Sequence, residues 1–277
     1  MGLRISTNVA SLNAQRAMSS SSREMQKNMA QISTGSRITK AGDDAAGLAI
    51  SENLKSQIRS YGQATRNAND GISMIQTAEQ AMGEVSNIVT RLRELGIQAG
   101  SDTIGDQERG FIQKEADSLK AEIQRVAEST AFGSRKLLDG TGGVYDIHVG
   151  TGANEKTDWI SYDSAITNVT TDNLGIADLD FASKGGARSG LAALDKAQSS
   201  VNGSRANLGA MQNRLSSTVD VINTMNENMS AANSRIRDTD IAQASSELAR
   251  NNVMLQGTTS ALAQANQLPQ LALKLIG

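Results

Sequence analysis

The sequence predicts a mainly α fold: a long antiparallel coiled-coil or helical-bundle rod drawn from both chain ends, with a small β-hairpin module. Two heptad runs and the placing of the aromatics carry that expectation. Leu194, Val201, Leu208, Leu215, Ile222, Met229 and Ile236 recur every seventh residue, with Ala197, Met211, Met225 and Ala232 three places after four of them. Such an a/d pattern makes a long helix with a narrow apolar seam, which needs a helical partner of similar length. Leu54, Tyr61, Ala68, Ile75, Met82 and Val89 supply one from the other half of the chain. Between the runs lie most of the aromatics: Phe132, Tyr145, Trp159, Tyr162 and Phe181.

Composition supports thin helices over a broad core. The chain has one proline in 277 residues, where ordinary usage would give roughly fourteen. Aromatics make up 3% against 38% apolar residues overall. The net charge of −2 gives no general pull toward nucleic acid or an anionic membrane. Near the start, Arg4, Arg16, Arg23, Lys27, Arg37 and Lys40 face only Glu24. No aromatic interleaves with them for base stacking, so they read as a solvated helix face. The absence of cysteine excludes disulfides, thiolate metal sites and cysteine nucleophiles. No apolar run is long enough to insert in a membrane, and the start lacks the apolar core of a cleaved signal.

In chain order, residues 2–32 form a lean amphipathic helix, with Ile5 and Leu12 on one face and Met18, Met25 and Ile32 aligned. Residues 33–42 are a loop. Asp43 and Asp44 stand just before Ala45-Ala46, where a carboxylate caps a starting helix, so the pair reads as a cap and not as acid–base machinery. That helix runs to about Ala99. After a glycine-flanked turn, Ile112, Ala116, Leu119, Ile123 and Val126 stripe a second helix over 106–129. Tyr145, Ile147 and Val149 alternate with Asp146 and His148 as a strand; 150–156 is a turn, and 158–162 the returning strand. Residues 181–188 read as a glycine-bearing link to the long helix, which ends near Arg237. Asp238-Thr239-Asp240 then caps a last helix with Ile241, Leu248, Leu255 and Leu262 seven apart, disturbed near its end by Pro269. Both ends are too lean to stand alone and are suited to each other. The domain boundaries read as 1–42, 43–181, 182–237 and 238–277.

Nothing marks an enzyme. His148 is the single histidine, without cysteine or HExxH spacing, and no phosphate-binding loop or nucleophile elbow is present. No metal or cofactor is implied. The RLRELGIQ stretch from Arg91 to Gln98 projects Arg91, Arg93 and Glu94 outward while Val89 and Leu92 face the seam. Physics alone makes it a charged helix face of little energetic weight.

Three runs resemble bacterial flagellin: RISTNVASLNAQRAM, STGSRITKAGDDAAGLAISENLKSQIR and GTTSALAQANQLPQ. LGAMQNRLSSTVDVI and SRIRDTDIA extend the resemblance over nearly the whole chain. It implies a structural subunit of the flagellar filament used for swimming, exported unfolded through the flagellar type III apparatus and extracellular. The terminal segments, with Ile5, Leu12, Leu248, Leu255 and Leu262, would assemble as the inner tube (D0). The long helices and hairpin would form the next shell (D1), with only 181–188 where larger flagellins insert outer domains. The implied partners are further copies of the chain, hook-associated junction and cap proteins, and an export chaperone on the segment around Ile241 to Leu275. RLRELGIQ resembles the stretch read by the vertebrate Toll-like receptor for flagellin. Arg91, Leu95 and Glu115 match its contact residues, which also serve between subunits. The alternative is a hook–filament junction protein or another secreted coiled-coil protein that does not polymerise.

Overall fold

The computed structural model describes residues 7–276, with side chains through 267. Ten elements follow in order: α1 (Val9–Thr34), α2 (Ala45–Ala99), α3 (Asp106–Ser129), β1 (Ala131–Phe132), β2 (Arg135–Lys136), β3 (Val144–His148), α4 (Glu155–Asp158), β4 (Trp159–Asp163), α5 (Lys184–Arg237) and α6 (Ile241–Ile276). The fold is mainly α, with long helices pairing α2 with α5 and α1 with α6, as the heptads predict. The chain divides into two compact units. One contains the residues up to Ser56 and those from Asn228 onward; the other is Gln57–Glu227.

In the terminal unit, α1 and α6 lie antiparallel. Asn8 caps α1 by accepting from the Ser11 N–H at 3.1 Å, and its Nδ2 donates across to the Ala265 carbonyl at 2.7 Å. At the other end α1 stops at Gly35, whose φ of 67° is the left-handed conformation glycine adopts freely. There the two segments clasp. The Arg37 N–H donates to the Arg237 carbonyl at 2.6 Å, and the Thr239 N–H to the Gly35 carbonyl at 3.0 Å. Asp240 starts α6 by accepting from the Ala242 and Gln243 N–H groups at 2.9 and 3.1 Å. The helix continues through Pro269 to Ile276, so the proline does not end it.

The two acidic residues before α2 divide their work. Asp44 is the cap, accepting from the Gly47 N–H at 2.7 Å. Asp43 is not: its Oδ2 accepts from the Thr39 N–H, the Thr39 hydroxyl and the Lys40 N–H at 3.1, 2.8 and 3.0 Å. Asp43 is one residue too far back to reach the first free amides of the helix, and it ties the preceding loop instead.

In the central unit, Ala68, Ile75, Met82 and Val89 of α2 meet Leu194, Val201, Leu208 and Leu215 of α5 in one buried core. α3 adds Ile112, Ala116 and Ile123. Toward its end the α5 seam thins: Ile222 is buried, Met225 is 43% exposed, and Met229 and Ile236 are half-buried in the terminal unit. Helix α5 begins at Lys184, within the stretch expected to be a link. Ser183 caps it through the Gly186 N–H at 3.1 Å. A Cβ at Gly186 would stand 2.6 Å from the Asp180 carbonyl oxygen, so that glycine permits the tight entry and does not break the helix.

Two hairpins cover the core. β3 and β4 pair antiparallel with Ile147 opposite Ile160 and Tyr145 opposite Tyr162, in the strands the alternation predicts. Between them lies α4, a single helical turn that overlaps the end of the turn expected over 150–156. The second hairpin, β1–β2, turns at Gly133 with φ 62°. The hairpin sheet sits on α2, where Gly71 meets Ile147 and the Asn67 amide donates to the His148 carbonyl at 3.0 Å.

Candidate functional site

The terminal pair has an uncommon seam. The covered side chains of α1 run Ser11, Ala14, Met18, Ser21, Met25, Asn28 and Ile32, steps of three and four. Those of α6 run Ala244, Leu248, Asn251, Leu255, Thr258, Leu262 and Ala265. Ser11, Asn28, Ala244 and Ala265 are buried, and the three leucines are half-covered. Much of the apolar surface faces outward instead. Leu12 is 46% exposed, and Val9, Met29, Val253 and Met254 are exposed further. Leu12 was expected to share the apolar face of the helix with Ile5 and to serve in D0 assembly; partner geometry places Ser11 in the seam and turns Leu12 outward. Ile5 lies outside the described residues.

In such a pair, small and polar side chains allow close approach but remove little apolar area from water. At roughly 25 cal/mol per Å² of apolar burial, a seam so rich in serine, asparagine and alanine gives weak association. The exposed Leu, Val and Met side chains remain available to another surface.

At the base of this unit the Asp43 carboxylate is held well below the ordinary value of 3.8, to about 2. The Thr39 hydroxyl is the chief cause, followed by the Lys40 amide, with Lys27 at 3.5 Å adding attraction. Arg237 closes the same region, its guanidinium reaching the Ser36 hydroxyl and the Glu52 carboxylate.

The central unit carries a charged patch. From α2, Arg91 Nη2 and Nε donate to Glu115 Oε1 on α3 at 2.8 and 3.1 Å, and Nη1 to Glu94 Oε2 at 3.0 Å. Both carboxylates raise the Arg91 pKa above its usual value, Glu115 most. Arg93 pairs with Asp195 of α5 at 2.7 Å. All of these groups are exposed, so they orient a surface more than they stabilise the fold. Leu95 is different. It is 1% exposed and packs in the core beside Leu92, three residues earlier, so it is not a contact on the folded surface. It supports the patch from beneath.

Sequence reasoning missed two residues here. Arg109 is buried, its guanidinium donating to the Ala99 and Ser101 carbonyls at 2.9 Å each and to Asp106 at 2.8 Å. It satisfies carbonyls that the end of α2 leaves free. Phe111 precedes the stripe residue Ile112 and is 61% exposed, with Lys114 Nζ 5.9 Å from its ring centre. No apolar periodicity marks either; an arginine three residues into a helix after a glycine turn was the available signal for the first.

Among the described residues no group of acidic or histidine side chains has metal-site geometry, and no helix is long and apolar enough to cross a membrane. What the chain presents is paired terminal helices with uncovered apolar faces, and a helical core with a patterned charged surface. Two family models match it. The bacterial flagellin N-terminal helical region covers residues 5–142, and the bacterial flagellin C-terminal helical region covers 191–276. The chain belongs to the flagellin family. A flagellin of Halalkalibacterium halodurans is 41% identical over 272 residues, covering 98% of this chain and 99% of that one. The flagellar filament 33 kDa core protein of Treponema phagedenis is 37% identical over 289 residues, covering 98% and 99%. The crystal structure of Bacillus cereus flagellin superposes with a TM-score of 0.51 at 28% identity, covering 61% of this chain and 94% of that one. This flagellin is a subunit of the bacterial flagellar filament, an extracellular structure that serves motility. The family is structural and not enzymatic.

Proposed function

We propose that the α1–α6 pair is the element through which this flagellin polymerises. The observation that carries the reading is the mismatch within that pair: its seam is built largely from small and polar side chains, while Leu12, Val9, Met29, Val253 and Met254 are exposed. Neighbouring copies bury those side chains, each fully covered one contributing roughly 1.5–3 kcal/mol. Ordering a lean terminal helix costs about 1–2 kcal/mol per residue in backbone entropy, so the helices firm up as neighbours cover them. Contacts between unlike faces do not close, and a helical filament results. Leu248, Leu255 and Leu262 hold the pair, and the terminal segments line the inner tube of the filament.

The same leanness suits export of the unfolded monomer by the type III route, without a cleaved signal. An export chaperone would cover the segment around Ile241 to Leu275 before assembly. Junction and cap proteins meet the filament ends. The exposed Arg91–Glu115 pair serves between subunits and as the monomer surface offered to the Toll-like receptor. A receptor reporter assay should lose response with Arg91→Ala and with Glu115→Ala; unchanged response from both would remove the receptor role.

Seeded polymerisation tests the central claim. The full chain should grow filaments that pellet and appear uniform by electron microscopy. Variants cut before Ser33 or after Asp240 should remain helical monomers. Filaments from either truncation would overturn the role of the pair, and a full chain that stays soluble with seeds would favour a junction protein.

A further inference from the structure

Phe111 is the exposed aromatic of α3, and the surface around it is built like a docking knob. Glu108 and Lys114 lie three residues to either side and share its helix face. Neither has an ion-pair partner among the described residues. The ring is exposed, with the Lys114 ammonium 5.9 Å from its centre and Glu108 one turn before it.

A cleft of about 380 Å³ opens elsewhere on the same unit, between the end of β4 and the middle of α5. Ile166, 59% exposed, and the half-buried Met211 form its accessible walls, over a floor of the buried Tyr162 and Leu208. Its charged members are Asp163 and Arg214, which also have no ion-pair partner among the described residues. A cavity of about 150 Å³ holds a benzene ring, so the cleft has room for a phenylalanine side chain.

We infer that Phe111 of one copy inserts between Ile166 and Met211 in this cleft of a second copy, with Glu108 meeting Arg214 and Lys114 meeting Asp163. The knob and the cleft each carry one residue of either sign, and they share no residue. The contact is therefore between unlike faces, and each copy keeps one free knob and one free cleft, which propagates an open assembly. The proposal rests on the filament reading and adds a specific contact within the central unit, separate from the terminal pair.

The test is seeded polymerisation of the full chain. Phe111→Ala should leave the monomer's thermal unfolding unchanged, because the ring is exposed. It should raise the critical concentration about tenfold or more. Glu108→Lys and Arg214→Glu should each impair assembly, and the double variant should recover much of it. The chain has no cysteine, so Lys114→Cys with Asp163→Cys gives a clean cross-link. Under oxidation the double variant should form a covalent ladder in filaments, and neither single variant should. An unchanged critical concentration for Phe111→Ala, or filaments of the double-cysteine variant that give no ladder, would overturn the contact. A parent chain that does not polymerise would instead overturn the filament reading beneath it.

Discussion

Glycines in helix α2 should respond to alanine with opposite signs, and the reason is one side chain of the hairpin. A Cβ at Gly71 would stand 2.6 Å from Ile147 Cδ1, 3.2 Å from Cγ2 and 3.3 Å from Cγ1. A Cβ at Gly83 meets nothing within 4 Å. Alanine gains about 0.8–1.0 kcal/mol over glycine inside a helix, and both sites share that gain. At Gly71 the added methyl also overpacks the joint between α2 and β3, at a cost of about 1–3 kcal/mol. Gly83→Ala should therefore stabilise the monomer by up to about 1 kcal/mol, whereas Gly71→Ala should range from neutral to about 2 kcal/mol destabilised. At about 2–4 °C per kcal/mol for a domain of this size, their melting temperatures should differ by roughly 2–12 °C. Thermal unfolding of monomeric full chain followed by circular dichroism reads this directly. Ile147→Val removes the nearest atom. It should destabilise the parent by about 0.5–1.5 kcal/mol and cost less, or nothing, beside Gly71→Ala. Equal melting shifts for the two alanines, or an Ile147→Val effect that ignores its background, would refute the reasoning.

Three other perturbations test the framework. Replacing Arg109 by Ala leaves the buried end of α2 with unpaired carbonyls, so denaturation should show a loss of about 2–4 kcal/mol, with partial recovery by Lys. The Tyr162 hydroxyl donates to the Leu137 carbonyl at 2.7 Å, and burial pushes its pKa up to about 12. The unfolded chain ionises from about 10, so stability should fall between pH 10 and 12. Tyr162→Phe should lose about 1 kcal/mol at neutral pH and lack that alkaline fall in a pH series of melts. Asp43 behaves in the reverse sense. Its folded pKa near 2 lies below the ordinary 3.8, so its contribution is complete above about pH 4 and is lost as pH falls toward 2. The protection of the Thr39 and Lys40 amides against hydrogen exchange, relative to their intrinsic rates, should fall across that window, and Asp43→Asn should leave that protection independent of pH.

The long helices were legible because their signal is periodic and repeated. Leu194 through Ile222 keep a seven-residue spacing, and each is buried where that spacing places it. Period fails where one residue decides. The β1–β2 hairpin has two residues per strand and is set by the backbone of Gly133, too short for any alternation to register. Gly186 resembles a breaker until the Asp180 carbonyl shows why a small residue enters the helix there. In α1, Leu12 and Met29 point outward, because α6 selects the smaller Ser11 and Asn28 beside them. Leu95 matches a contact motif by position, yet its spacing from Leu92 commits it to the core. Local patterns record what a segment prefers, and these departures record what its neighbours impose.

A pair of helices zipped through serine, asparagine and alanine behaves as a ruler more than as glue. A buried asparagine such as Asn28 favours one alignment at the cost of grip. The alignment so fixed is that of α1 against α6 within one chain, and it sets where Leu12 and Met29 stand on the outer face relative to Val253 and Met254.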